Sequence, residues 1–152
     1  MSRLMSVAMT TDAVIERRKT VTRRKGWWTD KNGRRLLKPG DTLTLCRKVQ
    51  GRKPGEPIER LAEVEVVSVT RESLELLYGI AGPDTAVSFR GTVRRWAEGE
   101  VEREGFPGMD PTAFVETYFL AAQGLAPDDE VTRIEWRYVC GSGFCECGGC
   151  VL

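Results

Sequence analysis

Histidine is absent from all 152 residues of this chain. That absence removes the commonest general base near neutral pH and the commonest nitrogen ligand for metals. It excludes a Ser-His-Asp triad, a His-based nuclease and any zinc site built with imidazole. No apolar run approaches the roughly 18 residues that a membrane span requires, and MSRLMSVAMTTDAV, with one cation and no sustained apolar core, is a poor signal peptide. No internal repeat is visible. With 41% hydrophobic and 30% charged residues, the chain reads as one soluble, cytoplasmic globular domain, long enough to bury a core without disulfides.

Net charge is also scarce, at +1, but its distribution is uneven. From Arg17 to Arg35 nine Lys or Arg face one acid, Asp30, a local balance of +8; from Lys38 to Leu152 the count is 13 against 19, or −6. Positive charge concentrated in this way points to an anionic partner, nucleic acid or a phosphorylated small molecule, or else to a solvated Arg-rich loop.

The hydrophobic pattern predicts a short strand in LMSVAM, Leu4 to Met9, then a helix in TTDAVIERR capped by Thr10 or Thr11. KTVT is β-branched and reads as extended, which sets Lys19 and Thr22 near a helix-strand junction, where side chains commonly line pockets. DTLTLCRKV and RLAEVEVVSVT alternate as paired strands, with Cys46 a small buried hydrophobe in the first. RESLELLYGI reads as a short helix, AGPDTAVSFRG is turn-rich without an assignment, and TVRRWAEGEVEREGFPG is helical in composition but broken by Gly99. DPTAFVETYFLAAQG carries Asp110 as N-cap, Pro111 at the first helical position, an aromatic core stripe of Phe114, Tyr118 and Phe119 with Val115, and Gly124 as the stop. VTRIEWRYV closes the domain as a strand covered on both faces. The order of elements predicts an α+β domain, a small barrel with helices across its mouth.

Four blocks in this order, RRKTVTRR, LKPGDTLTL, REGFPGMDPTAFVETYF and VTRIEWRYV, resemble the ASCH domains, a family with a PUA-like β-barrel, and the resemblance runs from about Leu4 to Val139, closest to small bacterial and phage-borne members. It implies an ASCH domain over residues 1–139 that binds RNA or a nucleoside or nucleotide. Some small bacterial members are amidohydrolases that remove the acetyl group from N4-acetylcytidine, and no cofactor is implied. In those enzymes a GRKTxTxR-like motif works with a distal glutamate. Carried over by position, the motif's lysine is Lys19, its threonine Thr22, its closing arginine Arg24 and the glutamate Glu104, while Arg17 stands where the motif has glycine.

The chemistry is sound by itself. A desolvated lysine beside other cations loses its proton more readily and can then take one from a threonine hydroxyl that attacks an acyl carbon. Glu104 would hold the lysine or shuttle a proton, and Arg24 or backbone N–H groups would steady the oxyanion. Equally, Lys19 reads as a phosphate contact, Thr22 as a strand residue and Glu104 as a solvated helix end. Arg17, Arg18, Arg23 and Lys25 are the expected charged rim, and Trp28 is a base-stacking candidate, since at most one of Trp27 and Trp28 reaches a ligand.

The tail, residues 140–152, holds CGSGFCECGGC. Cys140, Cys145, Cys147 and Cys150 could ligate zinc, although only Cys147 and Cys150 form a CxxC pair. A flexible appendage is the alternative, and the spacing fails the plant-type iron-sulfur pattern.

Overall fold

In the computed structural model, residues 3–77 and 87–139 are described. The four tail cysteines and most of AGPDTAVSFRG lie outside the described residues. The chain forms β1 (Arg3–Ser6), a 3-10 turn (Ala8–Thr10), α1 (Thr11–Ile15), β2 (Val21–Arg24), β3 (Thr42–Cys46), β4 (Arg60–Ser73), a second 3-10 turn (Leu74–Leu76), α2 (Val87–Arg103), α3 (Pro111–Val115) and β5 (Glu130–Tyr138). One mixed sheet, ordered β1-β3-β4-β5-β2, makes an α+β half-barrel. Its β1-β3 pair is parallel and the others are antiparallel.

The predicted strands are present, and their alternation builds the core. Leu43 and Leu45 of β3, Val64, Val66 and Val69 of β4, and Ile134 and Trp136 of β5 form one buried cluster with Met5 and Val14. Val67 breaks the period of two because the β4-β5 register shifts between Val66 and Ser68. This bulge leaves Val67 exposed and returns Val69 to the core. A second cluster joins Ala97 and Val101 of α2 to Phe114, Phe119 and Val131. Strand β5 therefore serves both clusters, Ile134 and Trp136 on one face and Val131 on the other, and is covered on both faces.

Three local expectations need correction. β1 stops at Ser6 rather than Met9, because Ala8–Thr10 wind into a 3-10 turn. Thr10 occupies the cap position of α1 without a side-chain cap, whereas the Thr11 hydroxyl donates to the Val7 and Ala8 carbonyls. Gly99 does not break α2, which runs through it. The cost of about 1 kcal/mol for a mid-helix glycine is small against the burial of Ala97 and Val101 on either side.

Gly105 ends α2 at φ +108°, and a Cβ there would stand 3.0 Å from Thr10 Cγ2 and 3.1 Å from Ala13 Cβ. Gly105→Ala is expected to lower stability by about 2 kcal/mol, since strain at positive φ and overpacking against α1 add. Urea unfolding reads this directly, and a change too small to resolve would mean that α1 moves aside freely.

Candidate functional site

Strands β1 and β2 are the two edges of the sheet, so the half-barrel has an open seam between them. Arg24 crosses that seam: its Nη2 donates to the Ser6 carbonyl at 2.7 Å, and its Nε donates to the Thr22 hydroxyl at 3.2 Å. A cavity of about 390 Å³ opens here, with Lys19, Thr22, Arg24 and Glu104 at one end and Phe106, Phe114 and Tyr118 in its wall. That volume lies within the roughly 300–1,000 Å³ of small-molecule sites.

Lys19 follows α1 through a turn made by Arg17, whose φ of +60° is a left-handed conformation. Glycine adopts it without strain, while Arg17 holds it at a cost of roughly 1 kcal/mol. The left-handed turn before Lys19 is thus made without a glycine. Its closure is visible in the Lys19 N–H donating to the Ala13 carbonyl at 3.1 Å. From β5, Trp136 Nε1 and the Tyr138 hydroxyl both donate to the Lys19 carbonyl, at 3.0 and 2.5 Å. Burial pushes the Tyr138 phenol up to about 12, so it stays protonated and remains a donor. Fixed by its backbone, Lys19 sends its side chain inward until Nζ donates to the Glu104 carbonyl at 2.5 Å, just past the C-terminus of α2, where a cation is favoured.

The Lys19 ammonium lies 3.7 Å from Glu104 Oε2, and both side chains are almost wholly buried. Burial lowers Lys19 to about 8 despite the Glu104 charge, with Arg24 and Arg23 adding to the fall. Burial also raises the Glu104 carboxyl against the opposing charges of Lys19, Arg23 and Arg24. Desolvation dominates on both sides of this pair.

Alternation along β2 puts Thr22 and Arg24 on one face and Val21 and Arg23 on the other. The second face is covered by α2, not by water. Arg23, expected on the charged rim, is instead 3% exposed. It binds Glu72, Glu100 at 2.7 Å and Glu104 at 3.3 Å. Across the β2-β5 pair Arg23 stands opposite Arg133, a juxtaposition of like charges that Glu100 neutralises by accepting from both. Arg103 and Glu135 extend the network. The sequence does not single out Glu100 and Glu72, yet Glu100 and Glu104, four apart across the end of α2, make a like-charge pair that is unfavourable unless cations face it. That spacing was the available signal.

The remaining sequence candidates lie elsewhere. Arg17, Arg18 and Lys25 are exposed, with Arg18 paired to Glu16 and Arg17 over the Tyr138 ring. Trp28 does not line the cavity; the Arg35 guanidinium covers one face of its ring, 3.4 Å from the centroid. Phe114 and Tyr118, read as core, belong to the core and to the cavity wall together. Among the described residues no group of His, Cys, Asp or Glu could hold a metal ion, and no helix is long and apolar enough to cross a membrane.

No protein-family model matches the chain, and no curated protein matches it. Among solved structures, protein EF3133 from Enterococcus faecalis, of the family model DUF984, is similar at a TM-score of 0.53 and 16% identity, over 91% of this chain and 76% of its own. An ASCH domain from Lactobacillus crispatus is similar at a TM-score of 0.37 and 11% identity, over 86% of this chain and 70% of its own. The first likeness establishes a shared fold.

Proposed function

From the premise of an ASCH-type α+β fold, we propose that the seam cavity binds an acylated nucleobase as its nucleoside and hydrolyses the acyl amide. The observation that carries this reading is the buried Lys19 amine, lowered to about 8, on the same cavity as the Thr22 hydroxyl. A lysine serving only as a phosphate contact would keep its charge at the surface.

In the proposed reaction the neutral Lys19 amine takes the Thr22 proton as Oγ1 attacks the acyl carbon. Arg24, whose Nε donates to Thr22 Oγ1, is the cation that in this reading steadies the negative charge developing on the acyl oxygen. When the intermediate collapses, the C–N bond breaks, the base amine takes the proton from the Lys19 ammonium, and the acyl group remains as an ester on Thr22. Water, losing a proton to Lys19, then attacks the ester, releasing the carboxylic acid and restoring the hydroxyl. Glu104 stays behind Lys19 and stabilises the ammonium each time it forms.

The electrostatics agree with a proton-accepting lysine. Lys19, Arg23, Arg24, Arg103 and Arg133 face Glu72, Glu100, Glu104 and Glu135, which leaves one positive charge in excess when all are ionised. A neutral Lys19 removes it.

Incubation with N4-acetylcytidine is expected to yield cytidine and acetate in equal amounts. No turnover across several acylated nucleosides would sink the catalytic reading. Binding to RNA is the second reading, favoured by the exposed Arg17, Arg18 and Lys25; it requires affinity that falls steeply with salt, whereas a neutral nucleoside binds with little salt dependence.

A further inference from the structure

Past Val115 the helix widens: Glu116–Ala121 form a π-helix where the sequence predicts a plain α-helix. Such turns are rare and cluster at functional sites. The consequence is visible in the side chains. In an α-helix the residue stacked over Phe114 would be Tyr118, four positions on. Here Tyr118 and Phe119 both lie against it, each with its ring 5.6 Å from Phe114, Tyr118 tilted and Phe119 edge-on and buried. Tyr118 is partly exposed and also stacks on Phe106 at 4.6 Å in the cavity wall. Thr117, within that turn, and Gln123, two residues past it, line the cavity, and both are exposed.

The cavity therefore has a direction. Its buried end holds Lys19 and Thr22, its middle is aromatic, and Thr117 and Gln123 stand at the solvent side. Gln123 uses Nε2 on the Tyr118 carbonyl at 2.8 Å, which leaves Oε1 as an acceptor. The Thr117 hydroxyl can donate and accept. Both groups are neutral and Glu116, the neighbour of Thr117, is acidic and exposed, a poor place for a phosphate and a good one for hydroxyl groups.

We infer that the π-helical turn is the specificity element of this site, with Thr117 and Gln123 hydrogen-bonding the sugar hydroxyls of a nucleoside whose flat ring lies along the Phe106, Phe114 and Tyr118 wall. This rests on the cavity being the nucleobase site proposed above. An acyl group carried on the edge of the ring away from the sugar then reaches Lys19 and Thr22.

The test compares an acylated nucleoside with the acylated free base in the wild type and in the double variant Thr117→Val, Gln123→Leu. For the nucleoside KM should rise about tenfold with kcat unchanged; for the free base neither should move. NMR titration of the unacylated nucleoside and base gives the same comparison without chemistry. A sugar preference that the double variant abolishes, in a protein without turnover, would overturn hydrolysis and leave this inference standing. Equal losses for nucleoside and base, no loss for either, or binding of neither by the wild type would overturn it.

Discussion

Lys19→Met is expected to reduce turnover of an acylated nucleoside by about 10³-fold, in the range typical for loss of a positioned proton acceptor, while the unreactive nucleoside still binds. Methionine fills the space of the lysine stem and removes only the amine, so the fold around Glu104 is retained; circular dichroism and thermal unfolding provide the control. In the wild type, kcat/KM should rise with pH through about 8 and then level off, because the working form of Lys19 is the neutral one and burial has brought its deprotonation down to that range. The rise must vanish in Lys19→Met. Thr22→Val should be as inactive as the lysine variant, and the double variant no worse than either, since the two groups act in one step. A pH profile that is flat across pH 7–9, or a Lys19→Met protein with near-normal turnover, would assign the amine a structural role.

Glu100→Ala is expected to cost about 3–5 kcal/mol of folding stability. Glu100 is the carboxylate between Arg23 of β2 and Arg133 of β5, and it also pairs with Arg103 on its own helix. Its removal leaves two guanidinium groups facing each other, one of them buried, with only Glu72, Glu104 and Glu135 to share. Breaking a buried pair by deleting one partner is costly because the surviving charge is uncompensated. For a domain of this size the loss corresponds to a fall in Tm of about 6–20 °C. Burial raises Glu100, but the hydrogen bond from Arg133 and the charge of Arg23 outweigh it and hold the carboxyl below its ordinary 4.5. A depressed carboxylate stabilises the fold above its unfolded value, and that contribution is lost as pH falls from 4.5 through the lower folded value. The wild type should therefore lose stability on acidification in this window more steeply than Glu100→Gln. Urea midpoints measured from pH 6 down to pH 3 check both statements; parallel curves would mean that solvent screens the network.

The site couples these two effects. The Arg23 guanidinium that Glu100 helps to hold also donates to Glu104, and Glu104 in turn stands behind Lys19. Weakening the anchor should loosen the base while leaving the aromatic wall of Phe106, Phe114 and Tyr118 in place, so Glu100→Gln should lower kcat more than it raises KM.

Local chemistry in this chain is legible residue by residue. β-Branched and alternating runs become β2 to β5, and Asp110 accepts from the Ala113 N–H as an N-cap should. The alternation of KTVTRR alone puts Thr22 and Arg24 on one face, and proximity of Lys19 to them follows from the short turn between α1 and β2. The absence of histidine leaves lysine as a base that burial can bring within reach of neutral pH.

What covers each face is a different matter, and only the tertiary structure decided it. Arg23 carries the same charge as Arg17 and Arg18, and nothing within its own segment tells that α2, some seventy residues later in the chain, lays Glu100 against it. The π-turn is invisible in a sequence whose spacing suits an ordinary helix, and in the fold it sets both Tyr118 and Phe119 against Phe114. Sequence thus determined the faces, because backbone period is a local property. The tertiary structure determined which faces are dry, and desolvation is what separates a surface cation from a buried base.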